Sequence, residues 1–275
     1  MAQTLSVVIV SKNCEARIEG TITPWKQIAN EIIVVDQNSS DQTATTAENT
    51  GAILISNEPL GGNFDLNRKL GMQKAKSDWV LYIDTDERPT QEMISELKEF
   101  LASSMADECD GVRIPNYFYF LGKQLKYGIY NPNSAEIRLV KKGKWEYPAE
   151  KGYHHSVSVQ GKVHKLLNGY RHFNINSLNE WFIKTNQYTE HDANQKHKIE
   201  QRSVCGTFFK AYRFFWKHYI FKCGFLDGVH GLLAVFYFML YHLTLDLKIW
   251  EKNYLHKKEE GIDFLKSFGA GKPNR

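Results

Sequence analysis

Four short apolar runs lie within the first 83 residues, and they constrain the fold more than any other feature. They are Leu5–Val10, Glu31–Val35, Ala52–Ile55 and Trp79–Ile83. Each is nearly continuous rather than alternating, the pattern of strands buried on both faces. Between them Ala16–Ile28, Asp41–Asn49 and Phe64–Lys76 suit helices. Strands alternating with helices predict parallel βαβ units and an α/β sheet with helices on both faces. In such sheets ligands gather at the carboxyl ends of the strands.

Those ends are polar. Ser11, Lys12 and Asn13 follow the first run, and Asp36-Gln37-Asn38-Ser39-Ser40-Asp41 follows the second. Asn57, Glu58, Gly61 and Gly62 follow the third, and Asp84-Thr85-Asp86 the fourth. Carboxylates there can accept from a base N–H or from ribose hydroxyls, and Lys or Arg can face a diphosphate. Ser39-Ser40-Asp41 also reads as a helix N-cap. The fourth end is the most demanding, because Asp84, Asp86 and Glu87 crowd three carboxylates against a buried strand. Their repulsion and desolvation need a compensating charge, for which a divalent cation is the simplest candidate. On an extended chain Asp84 and Asp86 point to one side and Thr85 to the other. The bland alternative is an acidic turn after a core strand. No Gly-x-Gly-x-x-Gly or Gly-Lys-Ser/Thr follows the first run, which argues against a dinucleotide Rossmann site and a P-loop.

The 275-residue chain is 42% hydrophobic and 24% charged, enough for a full core. A net charge of +4 does not by itself imply nucleic acid. Cys14, Cys109, Cys205 and Cys223 are scattered, with no Cys-x-x-Cys, which points to a reducing compartment. The first residues lack a basic stretch and a cleavable apolar segment, so a cytoplasmic protein is expected.

Ser11–Asn13, Val34–Thr43, Asn67-Arg68 and Asp78–Glu87 occur in the order and spacing of one family. Together they resemble a family 2 glycosyltransferase with the GT-A fold. The resemblance implies that Asp36 contacts the nucleotide base. It implies that Asp84 and Asp86 hold the ribose and a Mg²⁺ or Mn²⁺ on the donor diphosphate. The implied donor is a nucleotide sugar, expected to be UDP-linked. Ser11, Lys12, Asn13, Asp36, Asn38, Asn67, Arg68 and Asp84 are its expected binding residues, with Lys12 or Arg68 adding positive charge. Asp86 is the expected metal ligand.

Further on, Thr90–Ser103 reads as an amphipathic helix, and Gly111–Pro115, Tyr117–Leu121 and Ile137–Val140 read as strands. The aromatics from Tyr117 to Lys123 and from Tyr127 to Pro132 suit either a core or a platform for acceptor sugar rings. Tyr119–Lys123, Pro132–Leu139 and Tyr153-His154-His155 resemble one branch, the lipopolysaccharide inner-core β-glucosyltransferases. Two positions depart from that branch: Asn133 stands for an Asp, with a one-residue slip, and His155 stands for a Glu. An inverting transfer needs a base at the acceptor hydroxyl. Glu136, Glu150 and His155 are the candidates, and His154 is a candidate third metal ligand, since imidazole suits Mn²⁺ better than Mg²⁺. His164 and His172 do not have zinc-site spacing with the cysteines.

The last third changes character. Leu178–His197 reads as a long helix, and Arg202–Lys222 interleaves five basic residues with aromatics. Gly231–Leu245 is a run of 15 residues without Asp, Glu, Lys or Arg, short of the ~20 that span a bilayer. Three readings follow: a helical hairpin packed on the catalytic domain, a monotopic membrane contact, and a single-stranded nucleic-acid surface. Gly224–Gly228, Gly231–Leu233 and Lys248–Glu251 also resemble the same branch, whose members act on lipid-linked acceptors at the cytoplasmic leaflet. The expectation is therefore a GT-A catalytic domain over residues 1–175, a helical membrane-contact module over 176–255 and a charged tail over 256–275. The expected enzyme is metal-dependent and inverting, peripheral on the inner face of the cytoplasmic membrane, with a lipid-linked glycan acceptor and no nucleic acid. Its rivals are a polyprenyl-phosphate glycosyltransferase and a non-catalytic protein that binds a nucleotide sugar or a membrane.

Overall fold

The structure is a computed structural model that describes residues 2–56, 64–130, 135–147, 157–196 and 203–269. The chain divides into two units, one formed by Met1–Tyr119 with Pro132–Asn174, the other by Phe120–Asn131 with Ile175–Arg275.

The first unit begins β1 (Leu5–Ser11), α1 (Glu15–Ile22), β2 (Glu31–Asp36), α2 (Thr43–Asn49), β3 (Ile53–Ser56), α3 (Phe64–Lys74) and β4 (Trp79–Asp84). It continues with β5 (Glu87–Pro89), α4 (Gln91–Ala102), α5 (Met105–Glu108) and β6 (Gly111–Phe120). After β7 (Lys123–Gln124), which falls in the other unit, come β8 (Ala135–Lys141), β9 (Trp145–Glu146), β10 (Ser158–Val159), β11 (Val163–Lys165) and β12 (Tyr170–Ile175). The main sheet runs β3-β2-β1-β4-β8-β6-β12-β5, with β11 also on β6. β3, β2, β1 and β4 are parallel, as the apolar runs require. β8 joins β4 antiparallel and β6 joins β8 antiparallel.

Strand parity sorts the core into two faces. Leu5, Val7 and Ile9 of β1 share a cluster with Trp79, Leu81 and Ile83 of β4 and with buried residues of α1 and α4. Val8 and Val10 join Val80, Tyr82, Ile33 and Val35 in a second cluster, covered by Met72 of α3. α3 lies so close to the sheet that a Cβ on Gly71 would come within 2.5 Å of Val8 Cγ1 and 2.9 Å of Val35 Cγ2.

Several expected boundaries move for local reasons. The first helix stops at Ile22 and continues as a 3₁₀ turn over Thr23–Gln27, because Pro24 has no N–H for an α-helical bond. α2 starts at Thr43, later than Ser39-Ser40-Asp41 suggests. Asp41 instead accepts from Thr43 N at 3.0 Å and from Glu15 N at 3.2 Å, serving two helix starts. Thr90 caps α4, its hydroxyl accepting from Met93 N at 3.1 Å. The two strands expected on either side of Asn116 are a single strand, β6, which accommodates Pro115.

The second unit holds α6 (Leu178–Lys196), α7 (Val204–Phe215), a π-helical turn over Trp216–Phe221, a 3₁₀ turn over Gly224–Asp227 and α8 (Val229–Gly269). α6 and α8 are joined by Lys248 and Lys252, which reach Glu190 at 3.2 Å and 2.7 Å. The buried Asp227 accepts from Lys126 N and Tyr127 N, at 3.0 Å and 2.9 Å, while Lys123 Nζ donates to its carbonyl. Those bonds tie Phe120–Asn131 to the C-terminal helices, with which it groups. α8 extends well past the 15-residue uncharged run. Its segment Val229–His256, 28 residues, is long and apolar enough to cross a membrane by length and composition. The run alone understated the helix because Asp246 is buried, accepting from Thr207 Oγ1 at 3.1 Å.

Candidate active site

The registers Ser11↔Asp36 and Val10↔Asp84 bring the ends of β1, β2 and β4 level at one edge of the sheet. Asp36 is 2% exposed. Ser11 Oγ and Ser39 Oγ donate to its Oδ1 at 2.9 Å and 2.6 Å, and Ser39 N donates to Oδ2 at 2.8 Å. The loops after β1 and β2 are stitched together: Asn13 N donates to Ser39 Oγ at 2.9 Å, and Asn13 Oδ1 accepts from Ser40 N at 2.8 Å. Asn13 and Asn38 both have left-handed backbone, at φ 47° and 49°, which asparagine tolerates better than most residues. Lys12 and Asn38 are exposed at this edge, and Asn67 is fully buried within α3. Gln37 Nε2 is buried and donates to no group among the described residues.

The acidic end of β4 departs from an extended chain. The strand stops at Asp84, and Thr85 and Asp86 form a turn into β5. Asp84 and Asp86 therefore do not share one side of a strand. Asp84 continues the face of Val80 and Tyr82, which is the face covered by α3. There Arg68 Nη2 donates to Asp84 Oδ1, while Arg138 Nη1 lies 3.6 Å from Asp84 Oδ2. Both guanidinium groups lie 5.0 Å from the Tyr82 ring centre. Arg68 also donates to Tyr147 Oη at 3.0 Å and Asp65 Oδ1 at 3.2 Å. Arg138 Nη2 donates to Glu87 Oε1 at 2.9 Å and its Nε to Glu136 Oε2 at 3.2 Å. Glu87 has no exposed side-chain surface and accepts from Asp84 N at 2.9 Å.

Two arginines thus supply the compensation for Asp84 and Glu87 that a metal ion was expected to supply. Burial opposes ionisation of Asp84, but Arg68 and Arg138 outweigh it and hold the carboxyl well below the usual range. Burial pushes Glu87 up to about 7, with Asp84's charge adding to the effect against the pull of Arg138. Arg68 is therefore occupied by Asp84, Asp65 and Tyr147.

Asp86 differs. Its side chain is partly exposed, and Oδ1 lies 3.6 Å from His172 Nε2. Phe173 N donates to the Asp86 carbonyl at 2.8 Å, fixing the turn to β12. The antiparallel register pairs His172 with Glu87, and Asn116 Nδ2 lies 3.3 Å from His172 Nδ1. Burial works against an imidazolium at His172, but Asp86, Glu87 and Asp84 outweigh it and raise its pKa. Among the described residues no group of three His, Cys, Asp or Glu is arranged to hold a metal. A carboxylate beside an imidazole nevertheless fits a divalent cation that takes its remaining ligands from phosphate oxygens and water.

Glu136 is 56% exposed and adjoins the network through Arg138. Glu150, His154, His155, Asn133 and the third strand end, 57–63, lie outside the described residues. In the aromatic stretch, Phe118 and Phe120 are core residues, while Tyr127 is exposed. Sequence spacing assigns His172 no role, because its approach to Asp86 is made across the sheet. An unplaced histidine in a strand-like segment after the acidic motif was the available signal.

A family model described as "Glycosyl transferase family 2" matches residues 6–150. An uncharacterized glycosyltransferase of Rickettsia typhi is 30% identical over 241 residues, covering 83% of this chain and 80% of that protein. The lipopolysaccharide core biosynthesis glycosyltransferase LpsC of Rhizobium meliloti is 26% identical over 277 residues, covering 95% and 97%. Among solved structures, mannosyl-3-phosphoglycerate synthase from Rubrobacter xylanophilus is 26% identical over 42% of this chain and 40% of its own, with a TM-score of 0.34.

Proposed function

Because this chain belongs to glycosyltransferase family 2, we propose that it is an inverting transferase that moves a hexose from UDP to a lipid-linked glycan. The fold is GT-A and the protein is an enzyme that transfers a sugar from a nucleotide-sugar donor. The observation that carries the finer reading is the pairing of Asp86 with His172 beside an Asp84 already neutralised by arginine. Asp86 is left as the carboxylate with room for an added charge.

In this reading the donor lies across the ends of β1, β2 and β4. Asp36 and Asp84 hold the nucleoside, with Ser11, Asn13 and Asn38 shaping the loops around it. Lys12, exposed at the same edge, faces the diphosphate. Asp86 and His172 would hold Mg²⁺ or Mn²⁺, which when bound neutralises charge on the departing diphosphate. The acceptor hydroxyl attacks the anomeric carbon from the face opposite UDP. The C–O bond to UDP breaks as the new glycosidic bond forms, and configuration inverts. The hydroxyl proton passes to a base, for which Glu136 is the described candidate, with Glu150 and His155 as the others.

Likeness to LpsC over nearly the whole of both chains supports a lipopolysaccharide-core acceptor. A basic, aromatic α7 and an apolar α8 support a position on the inner face of the cytoplasmic membrane. The test is a transfer assay with radiolabelled UDP-hexoses and a membrane extract. The reading predicts label in a lipopolysaccharide-type product, lost in Asp86→Ala. A charged lipid-phosphate sugar would replace the acceptor with a polyprenyl phosphate. Donor binding without hydrolysis or transfer would make the protein a binding module.

A further inference from the structure

Residues 203–226 contain nine aromatic residues, four Lys or Arg and no Asp or Glu. In the structure this stretch is α7, the π-helical turn and the start of the following 3₁₀ turn. Its aromatics are not all core. Phe209 is 61% exposed and Phe221 78%, with Phe208, Tyr212, Trp216 and Phe225 also open to solvent. Some of them adjoin one another or a cation: Tyr212 and Trp216 rings are 6.1 Å apart, Phe215 and Trp216 6.2 Å, and Arg213 lies 6.0 Å from the Phe209 ring.

The cations are placed with equal regularity. Lys210, Arg213 and Lys217 recur at helical spacing, and all three line one open groove of about 810 Å³ with Phe214, Trp216 and Phe221. Among the described residues no carboxylate lines that groove. Among the described residues Lys210 reaches Asp246 at 3.5 Å, whereas Arg213, Lys217 and Lys222 make no ion pair. An apolar groove on which Arg213 and Lys217 present positive charge without an ion pair among the described residues fits a ligand with an anionic head and apolar chains. Aromatic rings sit well at the boundary between headgroups and acyl chains, and Lys and Arg stems reach from there to phosphate. α7 and the π-helical turn that continues it have 12 and 6 residues, about 27 Å together at the α-helical rise. Lys210, Arg213 and Lys217 spread along that length, which suits an element lying in the interface rather than one crossing the ~30 Å hydrocarbon core.

We propose that the α7–π-turn groove is an anionic-phospholipid site, docking the second unit in the headgroup layer through Arg213 and Lys217 with Phe209 and Phe221 inserted. This rests on the membrane-surface part of the function proposed above and adds the contact residues and the lipid charge they select.

The test uses the full chain and sedimentation with vesicles of phosphatidylcholine alone or mixed with phosphatidylglycerol. The proposal predicts stronger binding to the mixed vesicles, weakening with salt. Arg213→Gln/Lys217→Gln lowers that binding by at least about tenfold, each charge near the surface being worth roughly fivefold, and hardly changes binding to neutral vesicles. Phe209→Ser/Phe221→Ser lowers binding to both. Arg213→Lys retains binding, and unchanged thermal melting shows that the variants fold. Wild-type-like binding by Arg213→Gln/Lys217→Gln overturns the groove and leaves the membrane reading standing. Failure of the wild-type protein to bind either vesicle overturns both. Preference for a single-stranded oligonucleotide over the mixed vesicles, lost in Arg213→Gln/Lys217→Gln, assigns the surface to nucleic acid instead.

Discussion

Arg138 shows how a buried charge is made tolerable. It is shared by Glu87, Asp84 and Glu136, and Tyr82 and Tyr170 rings lie 5.0 Å and 5.2 Å from its guanidinium carbon. Removing it strips Glu87, in a dry site, of the guanidinium that hydrogen-bonds to it. Arg138→Leu is expected to cost about 3–5 kcal/mol in urea unfolding. Glu87→Leu added to Arg138→Leu is expected to recover at least half of that loss, because the pair is then gone together. A second carboxylate acts at the other end of the same strands. Asp78 accepts from Thr4 N at 2.9 Å and from Thr4 Oγ1 at 2.7 Å, and these bonds lower its pKa. A folded value below the unfolded one stabilises the fold above the ordinary aspartate value of about 3.9 and loses that contribution as pH falls through the folded value. Asp78→Asn should therefore melt below wild type at pH 7, with the gap closing in acid. An equal gap at both pH values would contradict this assignment. The acidic cluster was visible in the sequence, since carboxylates at the end of a buried strand demand compensation. Its partners were not, because Arg138 arrives on β8 through a pairing that local pattern does not encode.

At the level of elements, local chemistry decided most starts and stops. Thr90→Ala is expected to cost about 1 kcal/mol by uncapping α4, read by the same unfolding experiment. Gly71→Ala is expected to cost about 1–3 kcal/mol, since its methyl would drive into Val8 and Val35 and lift α3 from the sheet. Lifting α3 also moves Arg68 from Asp84, so this variant should weaken donor binding as well. The parallel strands were legible because continuous β-branched runs between helical stretches admit few other folds. Three features were less so. Thr85 and Asp86 turn where an extended chain was expected, because a strand's end has no periodicity to read. Pro115 suggested a break in β6, but one missing N–H did not end the strand. His172 reaches Asp86 by an antiparallel register between β12 and the short β5, and short strands specify register weakly in sequence.

For the molecule as a whole, composition marks a shift from sheet-forming runs to basic and aromatic helices in the last third of the chain. It did not assign Phe120–Asn131 to the C-terminal unit, because the bonds to Asp227 join residues distant in sequence. The proposed function assigns chemistry to the first unit and membrane contact to the second. Variants in α7 should alter vesicle binding and leave donor binding unchanged, while variants at Asp86 should do the reverse. The central claim is that the strand ends bind a nucleotide diphosphate with a metal held by Asp86. Calorimetric titration of UDP with and without Mn²⁺, on wild type and Asp86→Ala, tests it most directly. The account predicts UDP binding that requires Mn²⁺ in wild type and is abolished in a folded Asp86→Ala. UDP binding equally well without Mn²⁺, or unaffected by the substitution, would contradict it.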